Sequence, residues 1–304
     1  MKRFLPVLAV ISTSAFAQDL MLSDLNYFQK QSSVLVNTSL NLGSSESKLS
    51  NEKTDGDSTV WSNAVTYGLS DKLNLGLEFD YALKNESKSG TDKATDDKGL
   101  SDFTVTGAYR LMDSGTYVDL IGGLTVATGD RENGSSNATQ SNNGNFKEGH
   151  NSVELGTAVG QKNGQFEWRA GLSIDHHLSG DYKDLDAAGG AAETNDTDSY
   201  TNYSVFGQAQ YRLDKFVVGL NFDYTMNGEQ VRTEKSSSTK TTIDSYSTLT
   251  TGVSARYDLS STVVLNVGYA MLNNFDIEGT QGTTAFKQED NKASVVAVGA
   301  TLLF

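Results

Sequence analysis

Histidine and serine are the residue types in this chain best suited to nucleophilic chemistry. The chain has three histidines, His150, His176 and His177, and Ser179 follows two positions after the last of them. At that spacing an imidazole could activate a serine nucleophile for hydrolysis. Asp175 would share one face of a strand with His177 and could orient it, or could equally brace a polar wall residue. Because no wider catalytic pattern surrounds the pair, we favour bracing and predict that the protein is not an enzyme.

A second candidate for chemistry is an acidic cluster between positions 179 and 199. Carboxylate oxygens are the hard ligands that Ca²⁺ prefers. The spacing of these residues fits no defined calcium loop, so we predict a solvated acidic loop with no metal and no other cofactor. The cluster consists of Asp181, Asp184, Asp186, Asp196 and Asp198.

The most extensive polar pattern is a set of ionisable residues. They recur on the polar face of segments in which polar and apolar residues alternate. We predict that this face lines an aqueous lumen. Arg110, Arg212 and Arg256 would form a basic ring below an acidic vestibule and filter solutes by charge. Alternatively, the arginines pair with neighbours such as Asp119 and Glu167 and brace the wall. The predicted lumen residues are Glu78, Asp80, Asp102, Arg110, Asp119, Glu154, Glu167, Arg169, Asp175, His177, Arg212, Asp223 and Arg256.

Twelve segments of period-two alternation would position these side chains. In one of them Val218, Leu220 and Phe222 alternate with Gly219 and Asn221. This alternation indicates strands with one apolar and one polar face. The predicted strands are 33–43, 58–69, 72–83, 101–111, 115–128, 151–161, 165–178, 200–213, 215–227, 244–258, 261–273 and 293–304.

Short turns and long polar loops alternate strictly between these strands. The long loops are predicted at 44–57, 84–100, 129–150, 179–199, 228–243 and 274–292. This alternation is typical of outer-membrane barrels, which have short periplasmic turns and longer extracellular loops. Twelve strands enclose more space than side chains can fill, so the polar face should point inward and the apolar face toward lipid. We therefore predict an all-β fold, a transmembrane antiparallel up-and-down β-barrel of about twelve strands.

Aromatic residues recur at the strand ends next to the short turns. Such rings form a girdle at the membrane interface. The last of them ends the chain, and we expect the C-terminal strand to engage the barrel-assembly machinery through it. The predicted girdle consists of Tyr109, Phe166, Tyr211, Phe216, Tyr257 and Phe304.

The N-terminus has the order of a cleavable secretory signal peptide. Lys2 and Arg3 precede an apolar run, and Ala15-Phe16-Ala17 precedes Gln18. We predict cleavage after Ala17, a periplasmic segment at 18–32 that could plug the lumen, and a barrel at 33–304. The absence of cysteine fits export without disulfides. The net charge of −14 argues against nucleic-acid binding, which needs clustered Lys and Arg.

Several segments of the predicted wall strands and turns share a recognisable pattern. They are Tyr67-Gly68-Leu69-Ser70-Asp71-Lys72-Leu73-Asn74-Leu75-Gly76-Leu77, Gly99-Leu100-Ser101-Asp102-Phe103, Gly107-Ala108-Tyr109-Arg110-Leu111, Leu124-Thr125-Val126-Ala127-Thr128-Gly129-Asp130 and His177-Leu178-Ser179-Gly180. With these segments the chain resembles the outer-membrane barrels named for the meta-pathway of phenol degradation. The resemblance covers most of the barrel. It implies an outer-membrane protein that lets small molecules through, hydrophobic or aromatic ones included, and it supplies no catalytic residues.

Two functions of different kinds follow from these patterns. The first is a passive outer-membrane channel whose partners are lipid and a small solute. The second is a surface protein whose long loops bind or adhere while the barrel stays blocked. A lipid hydrolase built on His177 and Ser179 ranks third.

Overall fold

A computed structural model describes residues 25, 28–49, 52–113, 115–186 and 193–304. The predicted signal peptide at 1–17 and most of the segment 18–32 lie outside these residues. Within the described residues no helix is long and apolar enough to cross a membrane. The main wall consists of β1 (Val34–Leu49), β2 (Glu52–Ser70), β3 (Leu73–Ser89), β4 (Phe103–Asp113), β5 (Thr116–Val126), β6 (Ser152–Asn163), β7 (Phe166–His177), β8 (Tyr200–Leu213), β9 (Phe216–Asn227), β10 (Tyr246–Asp258), β11 (Val263–Asn274) and β12 (Thr284–Leu303).

Each wall strand pairs antiparallel with the next, and β12 pairs with β1 to close the ring. At the seam the backbones of Val34 and Phe304 exchange two hydrogen bonds, of 3.0 and 2.9 Å. Closure gives each wall strand a partner on both sides, which a sheet in lipid requires. The predicted fold, a closed antiparallel barrel of twelve strands, is confirmed.

The two faces of the wall differ as the alternation predicts. On β9, Val218, Leu220 and Phe222 are exposed, whereas Val217, one position before Val218, is buried. Asn221 and Asp223 share the inner face with Val217. The outer surface therefore carries an apolar belt suited to lipid, and the inner surface is largely polar.

The predicted long loops, apart from 129–150, contain much more β-structure than we expected from the sequence. β1 extends to Leu49, β2 begins at Glu52, and β3 extends to Ser89. Polar residues on both faces of these extensions hide the alternation that marks the wall. Additional short strands occur at Thr95–Asp96, Gly99–Leu100, Arg131–Asn133, Ser135–Ser136, Ser141–Asn142, Gly180–Asp184, Glu193–Thr197, Gln230–Glu234, Lys240–Ile243 and Ile277–Gln281.

These short strands join neighbouring hairpins into an outer tier above the wall. Glu193–Thr197 pairs with Gln230–Glu234, and Lys240–Ile243 pairs with Ile277–Gln281. The ammonium of Lys235 lies 2.8 Å from carboxylate oxygens of both Asp181 and Asp196. Hydrogen bonds to these two carboxylates raise the pKa of Lys235 well above its usual range. The outer tier is thus held by main-chain pairing and by exposed charge pairs.

Candidate functional site

At the short-turn end, the lumen contains a charge network centred on Asp119 of β5. Arg110 donates from Nε and Nη2 to the two carboxylate oxygens of Asp119, at 2.9 and 3.1 Å. Arg169 Nη2 lies 3.3 Å from the same carboxylate. Arg110 and Asp119 are each 3% exposed. A buried pair of this kind becomes costly when one partner is removed, so the network braces the wall at this level.

The N-terminal segment enters the lumen at the level of this network. The backbone carbonyl of Leu25 accepts a hydrogen bond of 3.1 Å from Arg169 Nη1. The Arg110 guanidinium lies 4.5 Å from the centre of the Phe28 ring, within the range of a cation–π contact. Leu25 and Gln29 are almost completely buried. The segment therefore contacts β4 through Phe28 and β7 through Leu25.

Leu25 also fills the space in front of β8, β9 and β10. The cavity that remains beside it measures about 20 Å³ and is lined by Gln208, Gln210 and Asn221, among others. This volume holds roughly one water molecule. Leu25 therefore packs closely against the inner face of these three strands.

The other predicted basic residues also have acidic neighbours. Arg212 Nη1 lies 2.5 Å from Asp258 Oδ2, and Arg256 Nε lies 3.5 Å from Asp258 Oδ1. Glu167 is held by Lys162 at 2.7 Å and by Gln210 at 2.9 Å. This pairing favours the bracing interpretation of the arginines over a basic ring with uncompensated charge.

The remaining predicted acids lie on the inner face at different heights. Glu78, Asp80, Glu154 and Asp223 share this face, and Asp80 is nearly fully buried. Asp223 Oδ1 accepts a hydrogen bond of 2.8 Å from Thr225. These four residues keep the acidic character of the lumen above the Asp119 network.

Asp102, also predicted for the lumen, has a different environment from the other acids. It binds both ends of the connection between β5 and β6, here called the inner loop (residues 127–151). Oδ1 accepts from the Thr128 backbone N–H at 2.6 Å and its hydroxyl at 3.0 Å. Oδ2 accepts from the backbone N–H groups of Glu148 and Gly149 at 2.9 and 3.0 Å. Asp102 therefore clamps the loop closed at its base.

The inner loop then packs against the inner face of the nearby strands β2 and β3. Phe146 is buried against Val60 of β2 and Ala82 of β3, both on the inner face. Gly149 adopts φ +77°, and a Cβ there would lie 2.5 Å from the backbone nitrogen of Arg131. Glycine is therefore required where the loop returns to β6. The loop occupies the lumen at the end opposite the short turns.

A histidine pair lies where the inner loop returns to the wall. His150 Nε2 and His177 Nδ1 are 2.8 Å apart, and the Tyr200 ring stacks on His177 at 4.4 Å. Burial and the neighbouring His177 lower the pKa of His150 to about 4. Burial also raises the pKa of Glu148 above its usual range. This end of the lumen thus holds a compact group of imidazoles and carboxylates.

The alternation in the sequence predicts a lumen position for His177 but not for His150. A usable signal was present, because the hairpin of β6 and β7 pairs Ser152 with His177. A residue two positions before Ser152 must then lie close to His177. The irregular path of the inner loop hides this proximity from any periodicity argument.

Residues predicted for a hydrolase or for a calcium site contact other protein groups instead. The ring nitrogens of His177 contact His150 and Asp175, and Ser179 makes no hydrogen bond to either nitrogen in the described residues. Asp184 accepts hydrogen bonds of 2.8 Å from Asn133 and Asn195. The geometry of the described residues therefore adds no support to either chemistry.

The aromatic residues at the short-turn end lie on the outer face. Phe216 and Tyr257 are paired across β9 and β10 with ring centres 4.8 Å apart. Phe166 is opposite Tyr211 across β7 and β8. Tyr109 and Phe304 are exposed, Phe304 to 73%. The position of these rings suits a membrane interface beside the turns.

A closed twelve-stranded barrel with an apolar belt and a polar interior has the architecture of an outer-membrane β-barrel protein. The chain belongs to the family described as TonB dependent receptor-like, beta-barrel, whose profile matches residues 14–288. No curated protein matches it in sequence.

Among solved structures, the fold is similar to the COG4313 outer membrane channel from Pseudomonas putida F1. The two share 17% identity, the match covers 93% of this chain and 99% of that chain, and the TM-score is 0.56. The NanC porin has 9% identity, coverage of 86% and 98%, and a TM-score of 0.45. The TodX monoaromatic hydrocarbon channel deltaS2 mutant has 8% identity, coverage of 92% and 91%, and a TM-score of 0.45.

Proposed function

We propose that this protein is an outer-membrane channel through which small molecules diffuse passively. The observation that carries this proposal is how the lumen is closed. The wall encloses a polar interior, and two parts of the chain contact it from within: Leu25 and Phe28 of the N-terminal segment, and the inner loop. Segments that fill a lumen can leave it without breaking the wall, as lids and loops do in other proteins. The fold shared with the COG4313 channel is consistent with this function.

The lumen lining favours small, water-soluble solutes. Buried amides and hydroxyls such as Asn41, Ser62 and Gln208 alternate with the outward apolar residues. The resemblance to the meta-pathway barrels implies hydrophobic or aromatic solutes instead, which stays a prediction. The family name refers to TonB, and so to transport that depends on an energised partner. Passive diffusion needs no such partner, so flux through the purified protein alone separates the two transport modes.

Solute flux into liposomes that contain only the purified protein tests the proposal. We expect little uptake by the parent, whose lumen holds both segments. The variant that combines deletion of residues 18–31 with Asp102→Ala should take up small sugars and a monoaromatic acid above the rate of protein-free liposomes, with a rate that rises linearly with solute concentration and falls with solute size. Heat-unfolded protein is the control. Absence of flux through a combined variant that is folded as a barrel would contradict a passive channel and favour the surface-binding alternative.

The route to the membrane is part of the same proposal. Export would remove residues 1–17, and the strand that ends at Phe304 would engage the assembly machinery. N-terminal sequencing of the membrane-bound protein should begin at Gln18. Removal of Phe304 should reduce the folded fraction in the outer membrane.

A further inference from the structure

Each imidazole of the His150–His177 pair contacts an oxygen through its outer nitrogen, the one that faces away from the other ring. His150 Nδ1 lies 3.0 Å from the Glu148 backbone carbonyl oxygen. His177 Nε2 lies 2.6 Å from Asp175 Oδ2. Both oxygens can only accept, so each outer nitrogen donates its proton to its oxygen. The Asn202 amide nitrogen is also 3.2 Å from His177 Nε2, but the shorter, charge-assisted contact with Asp175 decides the proton position.

This arrangement leaves the two inner nitrogens facing each other as acceptors. Three contacts connect Glu148, His150, His177 and Asp175, and as hydrogen bonds they need three protons. Two neutral imidazoles carry only two. The Tyr200 hydroxyl is also 3.4 Å from His150 Nε2, a longer contact than the 2.8 Å between the two inner nitrogens. Two acceptor nitrogens at 2.8 Å need a cation between them, either a proton or a metal ion.

A third ligand points at the same place. One ligand atom each from Glu148, His150 and His177 lie within 4.8 Å of one another. The Glu148 carboxylate makes no hydrogen bond or ion pair in the described part of the chain, and Asp175 Oδ1 is buried without a hydrogen-bond partner there. Two imidazoles and a carboxylate are a ligand set that binds Zn²⁺ in proteins.

We propose that Glu148, His150 and His177 bind a divalent transition metal ion such as Zn²⁺ between the inner loop and the wall. Asp175 and the Glu148 carbonyl orient the two imidazoles from outside, as outer partners of metal-bound histidines commonly do. Tetrahedral Zn²⁺ at about 2.0 Å from each nitrogen separates the nitrogens by about 3.3 Å, so the rings move apart by roughly half an ångström. One coordination position stays free for water or a solute oxygen.

The metal would lock the lumen. Glu148 and His150 belong to the inner loop, whereas His177 ends β7. A bound ion would therefore add a direct link between loop and wall, next to the Asp102 clamp. This consequence rests on the proposed channel function, but the metal site itself does not.

Zinc binding to the tag-free, full-length protein in detergent micelles tests the site. We expect one Zn²⁺ per barrel by calorimetry and by elemental analysis. His150→Ala, His177→Ala and the more conservative Glu148→Gln should each weaken binding at least about tenfold. His176→Ala is the matched control, because His176 lies on the outer face and hydrogen-bonds Thr201. Each variant must keep the heat-modifiable mobility of a folded barrel.

Three results would overturn the site: no zinc binding by the parent, equal loss in His176→Ala, or parental affinity in all three ligand variants. In the first case the cation between the imidazoles is a proton. Conductance in planar bilayers gives a separate readout. In the barrel that lacks residues 18–31, where the inner loop is the remaining closure, Zn²⁺ should lower the residual open probability, and chelator should reverse this. The same barrel with His150→Ala should not respond to Zn²⁺.

The two readouts separate the proposals. If the protein binds zinc but zinc does not change the conductance of the channel, the proposed lock of the lumen is wrong. Zinc binding by a protein that conducts under no condition would support the metal site and contradict the channel.

Discussion

The two ends of the lumen are closed by different kinds of contact. At the short-turn end, wall residues pair with each other, and the N-terminal segment adds one carbonyl and one ring to the Arg110–Asp119–Arg169 network. At the other end, a single wall carboxylate, Asp102, accepts four hydrogen bonds from the inner loop. The first network would persist without the segment, whereas the second exists only because the loop is there.

Because of this difference, we expect the Asp119 network to determine the stability of the barrel and the Asp102 contacts to determine gating. Substitutions in the Asp119 network should weaken the barrel itself. Substitutions at Asp102 should release a loop and leave the wall in place.

Asp119→Ala should cause the largest loss of stability. It leaves the guanidiniums of Arg110 and Arg169 in a buried site without their carboxylate, which costs about 3–5 kcal/mol. Urea unfolding of the barrel in micelles measures the change in the free energy of unfolding. Asp130→Ala is the control, because its pair with Lys183 is exposed and worth about 0–1 kcal/mol. Equal effects of the two substitutions would contradict the bracing role.

Asp102→Ala should release the inner loop with a smaller effect on the wall. Four loop donors lose their acceptor, and each hydrogen bond to a charged group is worth about 1.5–3 kcal/mol. Amide hydrogen exchange should rise tenfold or more at residues 128–150 and stay unchanged in β9. Asp223→Ala is the control, since this lumen carboxylate bonds Thr225 and does not contact the loop. Unchanged exchange in the loop would exclude the clamp.

The lumen shows where sequence reasoning succeeds and where it stops. Val218, Leu220 and Phe222 reveal a wall strand because lipid and lumen impose opposite polarity on successive residues. The extensions of β1 and β2 beyond the belt lack this signal, since Ser44, Ser45 and Ser58 are polar whichever face they take. Asp102 is identifiable as a lumen residue, but its role depends on an irregular loop whose two ends return to it.

Phe28→Ala should detach the N-terminal segment with little loss of wall stability. The cation–π contact with Arg110 contributes roughly 0.5–2 kcal/mol, whereas the Arg110–Asp119 pair stays intact. Limited trypsin digestion should cleave after Lys30 faster than in the parent. Tyr117→Ala removes the other ring near Arg110 and is the control. Faster cleavage in the control alone would show that Phe28 does not anchor the segment.

The smallest effect is expected on the outside of the short-turn end. Phe216 and Tyr257 form an aromatic pair worth about 0.5–1.5 kcal/mol beyond their burial. A double-mutant cycle of Phe216→Ala and Tyr257→Ala should give a coupling energy in that range, with the lumen network unaffected. A coupling energy of zero would show that the pair does not stabilise the short-turn end.

Conductance of single barrels in planar bilayers tests the central claim most directly. The two closures lie in series, so deletion of residues 18–31 or Asp102→Ala alone should leave conductance low, because each leaves the other closure in place. The combined variant should conduct steadily, at a level several times that of either single variant. A combined variant that inserts as a folded barrel and stays as silent as the parent would contradict the channel.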